Sequence, residues 1–198
     1  TLSPNFRWPY TYQTNFSIQR RLTNSLSLTA SYVSALSHKL PFSPDVNSPV
    51  YRPGATTANA DTRRPYLGLS QVTMVSSILN SAYHGLQVNA EKRVSHGFSL
   101  RAFYTFSKAL EGAESQSSTV GSGGQNQNNR RAERARTASD RRHNLVLSGI
   151  WQIRYFKSFP KPIRLLADGW TISTVTSIRS GTGLTVGTGV DNNRDGQS

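Results

Sequence analysis

Residues 86–106 read LQVNAEKRVSHGFSLRAFYTF, and the parity of this stretch decides the fold. Leu86, Val88 and Ala90 alternate with Gln87, Asn89 and Glu91, and Lys92 and Arg93 close the run. Ser95-His96-Gly97 supplies a tight turn. Beyond it, Phe98, Leu100, Ala102, Tyr104 and Phe106 alternate with Ser99, Arg101, Thr105 and Ser107, and Phe103 is the one apolar residue on the polar side. Successive side chains of a strand point to opposite faces. The stretch therefore predicts a hairpin with one apolar and one polar face.

Working outward, the same unit recurs twice. Upstream, Tyr10, Tyr12, Thr14, Phe16 and Ile18 oppose Thr11, Gln13, Asn15, Ser17, Gln19 and Arg21. Thr23-Asn24-Ser25 turns the chain into Leu26, Leu28, Ala30 and Tyr32, set against Ser27, Thr29 and Ser31. Downstream, Leu145, Leu147, Gly149, Trp151 and Ile153 oppose Asn144, Ser148, Gln152 and Arg154. After a turn over 156–168, the chain returns on Trp170, Ile172, Thr174, Thr176 and Ile178. Six strands of roughly ten residues or more result, near the length that spans a tilted bilayer crossing. The hairpins fall at about 10–36, 83–108 and 142–179. Long polar segments separate them, at about 37–82 and 109–141.

Composition narrows the class. Hydrophobic residues are 35% and charged residues 17% of the 198, which argues against a large conventional core. The chain has no cysteine, which excludes disulfide scaffolds, Cys-ligated metals and thiol catalysis. It lacks the run of eighteen or more apolar residues that a transmembrane helix needs. Three classes stay open: a disordered basic chain, a soluble β-sandwich and a membrane β-barrel, which needs apolar residues only at alternate positions.

Three features favour the barrel. Aromatics gather toward strand ends, at Trp8, Tyr10, Tyr12, Tyr32, Tyr83, Tyr104, Phe106, Trp151, Tyr155, Phe156 and Trp170, as in interfacial girdles. The apolar parity is almost free of charge, with Lys92 at a strand end, whereas Arg101 and Arg154 fall on the polar parity. Short and long connections alternate, as periplasmic turns and extracellular loops do. The expected fold is all-β: an antiparallel transmembrane β-barrel segment of about six up-and-down strands. Six strands cannot close a barrel, so the chain is expected to be part of a longer one, with any export leader removed or upstream.

Candidate sites are few. The carboxylates are scattered, and no His-x-x-x-His, Cys-x-x-Cys or Gly-x-Ser-x-Gly occurs, so no catalytic role is assigned. His38, His84, His96 and His143 lie on separate elements and read as polar residues at strand ends or turns. Gly181-Thr182-Gly183, Gly187 and Gly189 lack the spacing and the following helix of a dinucleotide loop. Asp191-Asn192-Asn193-Arg194-Asp195-Gly196 fits the start of a calcium loop. Oxygens of Asp191, Asn193 and Asp195 would converge on the cation, and calcium is the only cofactor expected.

The formal net charge of +13 is concentrated in Arg130, Arg131, Arg134, Arg136, Arg141 and Arg142, after a Gly/Ser/Gln/Asn-rich stretch. Guanidinium forks suit phosphates and carboxylates. On an extracellular loop the expected partner is lipopolysaccharide, with an anionic substrate as the second option. Arg52, Arg63 and Arg64 are candidates for first substrate contact. Nucleic acid is not expected, because the aromatics alternate with aliphatics rather than with Lys/Arg on one exposed face.

At this point a resemblance covers nearly the whole chain. Residues 2–10 (Leu2-Ser3-Pro4-Asn5-Phe6-Arg7-Trp8-Pro9-Tyr10), Ser31-Tyr32-Val33 with His38-Lys39-Leu40, Arg63-Arg64-Pro65-Tyr66, Tyr83-His84-Gly85-Leu86-Gln87-Val88, Tyr104-Thr105-Phe106-Ser107-Lys108, Asp140-Arg141-Arg142-His143, Gly169-Trp170 and Ser180-Gly181-Thr182 run in order. In series they resemble the barrel of TonB-dependent receptors of the Oar-like group, which carry a carboxypeptidase-regulatory-like domain. Ala35 and Leu36 depart from the pattern, as does Arg142 where Pro is usual. The resemblance implies an outer-membrane transporter, in which a barrel of about 22 strands holds a plug and TonB drives uptake. The expected partners are outer-membrane lipid, lipopolysaccharide, the plug domain and the TonB system. The alternative is a soluble extracellular β-domain that serves as a binding or adhesion module.

Overall fold

A computed structural model describes residues 1–112, 129, 131–154, 160–163, 168–184, 190–191 and 194. Nearly all of its regular structure is one antiparallel sheet. The strands are β1 (Tyr10–Arg21), β2 (Leu26–Phe42), β3 (Ser76–Ser95), β4 (Phe98–Glu111), β5 (Ala135–Arg136), β6 (His143–Gln152) and β7 (Thr171–Arg179). Their order is β1-β2-β3-β4-β6-β7, with the two-residue β5 paired to β4. β1 and β7 do not pair with each other, so the sheet is open. Among the described residues, no helix is long and apolar enough to cross a membrane.

The turns follow local chemistry. His96 (φ 52°) and Gly97 (φ 76°) both adopt the left-handed region between the paired residues Ser95 and Phe98. This is a two-residue type I′ loop, whose twist matches the flanking strands. At the first turn, the Thr23 hydroxyl accepts hydrogen bonds from the backbone N–H of Leu26 at 3.1 Å and of Ser25 at 3.3 Å.

The strands are longer at one end than parity suggests. β2 runs on to Phe42 and β3 starts at Ser76, so the segment expected to loop over 37–82 spans only 43–75. The alternation is lost because Lys39 adopts φ 58° and the register shifts between Ser37 and Leu40. β4 likewise continues to Glu111, and β5 occupies part of the expected 109–141 loop. A tilted 20-residue strand such as β3 reaches about 50 Å, roughly twice the apolar band of a barrel wall. The β2–β3 hairpin therefore projects well beyond that band.

Burial is inverted relative to a soluble protein. Among the described residues the buried hydrophobics are only Phe42, Ala60 and Leu79. Phe42 and Leu79 form a small cluster with Leu40 and Ile78 at the projecting tip. In β4, Thr105 and Ser107 are each 8% exposed, while Phe106 between them is 43% exposed. Among the described residues, no second sheet covers the apolar row as one would in the sandwich packing of soluble β-domains.

Candidate functional site

The ladder registers carry the parities across the sheet. Phe16, Tyr32, Leu86, Phe106 and His143 stand opposite one another in turn, followed by Ile18, Ala30, Val88, Tyr104, Leu145 and Ile178. Below them lie Arg20, Leu28, Ala90, Ala102, Leu147 and Thr176. The other face has its own rows, such as Ser17, Ser31, Gln87, Thr105, Asn144 and Arg179. The six strands thus share one mainly apolar face and one mainly polar face.

On the apolar face, charge is confined to the two ends. Arg20 and Lys92 sit at the short-turn end, where Lys92 donates to the Ser95 hydroxyl at 2.8 Å. Arg20 was not singled out from the sequence, although its even number places it on this parity. Phe98, Trp151 and Ile172 form a cross-strand row at this end. At the long-loop end, the Lys39 ammonium lies 5.6 Å from the Tyr10 ring centroid, and Arg142 lies 5.8 Å from that of Phe106. Tyr32 and Tyr104 are hydrogen-bonded to His84 and His143 there. Between Phe98 and Lys108 the apolar stretch of β4 spans about 25 Å along the normal of a tilted wall, the height of a barrel's hydrocarbon band.

The polar face bonds to itself. The Ser17 hydroxyl donates to Ser31 at 2.9 Å, the hydroxyls of Thr11 and Ser37 lie 2.9 Å apart, and Arg101 pairs with Glu91 at 3.2 Å. The Oδ1 atoms of Asn89 and Asn144 are buried acceptors without a protein partner among the described residues. This face is less clean than parity suggests. Phe103 pairs directly with Val146, and Ile150 and Val175 also lie on it. Tyr83 lies here too and not in the outer girdle. Its ring folds over Gly85, where a Cβ would come 2.7 Å from the hydroxyl. The other girdle candidates Tyr155 and Phe156 lie outside the described residues.

Segment 43–75 folds as a cap around polar groups. Asn47 is fully buried. Its amide donates to the carbonyls of Tyr66, Leu69 and Ser70 at 3.1, 3.0 and 2.8 Å, and its oxygen accepts from Tyr66 N–H at 2.8 Å. Asp45 accepts from the N–H groups of Asn47 and Val72, each at 2.9 Å.

Two of the three arginines expected to meet substrate, Arg63 and Arg64, are engaged within the cap. Arg63 is 7% exposed and donates to Asn59 Oδ1 and to the carbonyls of Val50, Thr56 and Arg194. Arg64 pairs with Asp61 at 2.9 Å and Asp45 at 3.5 Å, and donates to the Asn47 carbonyl at 2.8 Å. Both guanidinium groups are committed to holding the cap together. Arg52 stays exposed. The sequence shows these residues but not their carbonyl partners, which come from distant, irregular backbone.

The basic run divides in the same way. Arg136 pairs at 2.7 Å with Asp140, which is buried and also accepts from Ala109 N–H at 2.9 Å. Arg141 donates to the Ser180 carbonyl at 3.2 Å, and Arg142 lies over Phe106 on the apolar face. Arg131 and Arg134 are exposed, and Arg130 lies outside the described residues. Of the calcium-loop candidates, Asp191 is described, while Asn193 and Asp195 lie outside the described residues, as do Gly187 and Gly189. Among the described residues, no three His, Cys, Asp or Glu side chains converge as a metal site.

An open antiparallel sheet with one apolar face, charge only at the rims and a polar opposite face is the wall of a membrane β-barrel. The model of the family described as "Outer membrane beta barrel domain" matches residues 1–198, and the chain belongs to that family. Searches of curated proteins and of solved structures return no match. The protein is thus an outer-membrane protein. In outer-membrane barrels as a class the apolar face meets lipid, the short turns are periplasmic and the long loops are extracellular.

Proposed function

We propose that this chain supplies wall strands and surface loops of a TonB-dependent outer-membrane receptor. The observation that carries this reading is the predominantly polar face, interrupted by Phe103, Val146, Ile150 and Val175. Rows of Ser, Thr, Gln and Asn continue across all six long strands, with the Arg101–Glu91 pair and the open acceptors of Asn89 and Asn144 among them. Such a face suits a wet lumen lined by water or by a plug. The ordered resemblance to Oar-like receptors adds the TonB-driven mechanism.

In this reading the cap over 43–75 is the first surface a substrate meets. Arg52 serves there as a contact, while Arg63 and Arg64 hold the shape. The loop arginines Arg130, Arg131 and Arg134 serve as anion contacts, and Asp191, Asn193 and Asp195 as a calcium loop.

Photo-cross-linking in cells between the complete protein and TonB tests the reading. The expected outcome is a cross-linked adduct that disappears when the periplasmic domain of TonB is deleted. Matched expression without any adduct would overturn it.

A further inference from the structure

A cationic patch lies on the lipid-facing side of the wall, at its extracellular rim. His84 stands directly opposite Lys108 in the β3–β4 ladder. Such partners hold their Cβ atoms about 4.5–5.5 Å apart. One strand further on, the Arg142 guanidinium lies 5.8 Å from the ring centroid of Phe106, two residues from Lys108 on the same face.

The same aromatic device occurs on both sides of this pair. The Tyr32 hydroxyl and His84 Nδ1 are 2.7 Å apart, and the Tyr104 hydroxyl and His143 Nδ1 are 2.8 Å apart. In each case the rings stack with centroids 6.2 Å apart. An ammonium, a guanidinium and two imidazole rings held by tyrosine hydroxyls thus share one surface. Among the described residues, neither Lys108 nor Arg142 forms an ion pair with a carboxylate.

The position selects the ligand. Immediately below the patch on the same face run the apolar rows of Leu86, Val88 and Leu145. An occupant must present anionic oxygen to the donors and hydrocarbon to those rows. We propose that His84, Lys108, Arg142 and His143 seat a phosphate of an acylated outer-leaflet glycolipid, the lipid A of lipopolysaccharide. This moves the lipopolysaccharide contact from the basic run over 130–142 to the wall, with Arg142 common to both. It rests on the outward direction of the apolar face and not on TonB-driven uptake, so a missing TonB adduct would leave it standing.

The complete protein, purified in detergent, is titrated with diphosphoryl lipid A and with lipid A stripped of its phosphates. Bound lipid is read by native mass spectrometry. Diphosphoryl lipid A is expected to bind at least about tenfold more tightly than the stripped form. The K108Q/R142Q double variant should lose at least about tenfold in affinity, and the K108R variant should retain it. Excess inorganic phosphate should not displace the lipid. Equal binding of stripped and phosphorylated lipid by the parent protein would overturn the proposal without recourse to any variant. Undiminished binding by the double variant, or displacement by inorganic phosphate, would overturn it as well.

Discussion

In β4, Thr105 and Ser107 are buried while Phe106 stands exposed between them. In the cap over 43–75, Asp45, Asn47 and Arg63 are buried while Tyr51, Leu67 and Leu69 stand exposed. Both regions turn the usual rule inside out, but for different reasons. The wall has a second solvent: its large apolar side chains are exposed because hydrocarbon, not water, covers them. The cap has irregular backbone, and its buried N–H and C=O groups need partners that neighbouring strands cannot supply. Asn47, Asp45 and Arg63 satisfy those groups. The wall is stabilised by what lies outside it, and the cap by what lies inside.

The largest expected effect tests the cap. Asn47→Ala strips partners from the carbonyls of Tyr66, Leu69 and Ser70 and from Tyr66 N–H. About 3–5 kcal/mol of local stability should be lost. Protease nicking within 43–75 on intact cells should rise steeply while the wall keeps its heat-modifiable gel mobility. Loss of both together would mean that cap and wall are one cooperative unit, which breaks the comparison.

Next comes a pair of neighbours on opposite faces of the wall. Val88→Arg should cost about 2–4 kcal/mol in reversible unfolding from lipid vesicles, whereas Gln87→Arg should cost less than about 1 kcal/mol. Equal costs would mean that the faces do not meet different solvents.

A smaller effect belongs to the short turn at His96-Gly97. At Gly97 (φ 76°) an added Cβ would come 2.6 Å from the carbonyl oxygen of Gln152. Gly97→Ala should therefore cost about 1–3 kcal/mol in the same unfolding measurement. The smallest effect is expected for Arg101→Gln. The Arg101–Glu91 pair is well exposed on the polar face, so stability should change by less than about 1 kcal/mol. A larger loss would place that face in a dry interior.

The wall was legible in the sequence because a strand between two solvents writes its environment into alternate residues. Leu86–Ala90 and Phe98–Phe106 need only local parity to be read, and the registers then align the rows. Legibility fails where that local rule fails. The bulge at Lys39 hides the continuation of β2 to Phe42, and Tyr83 falls on the polar face although its residue type suggests a girdle. The cap could not be read at all. Arg63 resembles any surface arginine until the carbonyls of Val50, Thr56 and Arg194 surround it, and nothing in its neighbours signals those contacts. Arg142 is the intermediate case: its charge was visible, but its position over Phe106 depends on the β4–β6 pairing.

These 198 residues contain no cysteine, so the account's main assertion can be tested directly once any cysteines elsewhere in the complete protein are replaced by serine. Single cysteines placed in turn from Leu86 to Ala90 in the complete protein can carry a nitroxide in lipid vesicles. Collision with oxygen, which concentrates in hydrocarbon, should peak at 86, 88 and 90, and collision with a water-soluble nickel chelate should peak at 87 and 89. Flat profiles, or two profiles in phase with each other, would contradict a wall with lipid on one side and water on the other.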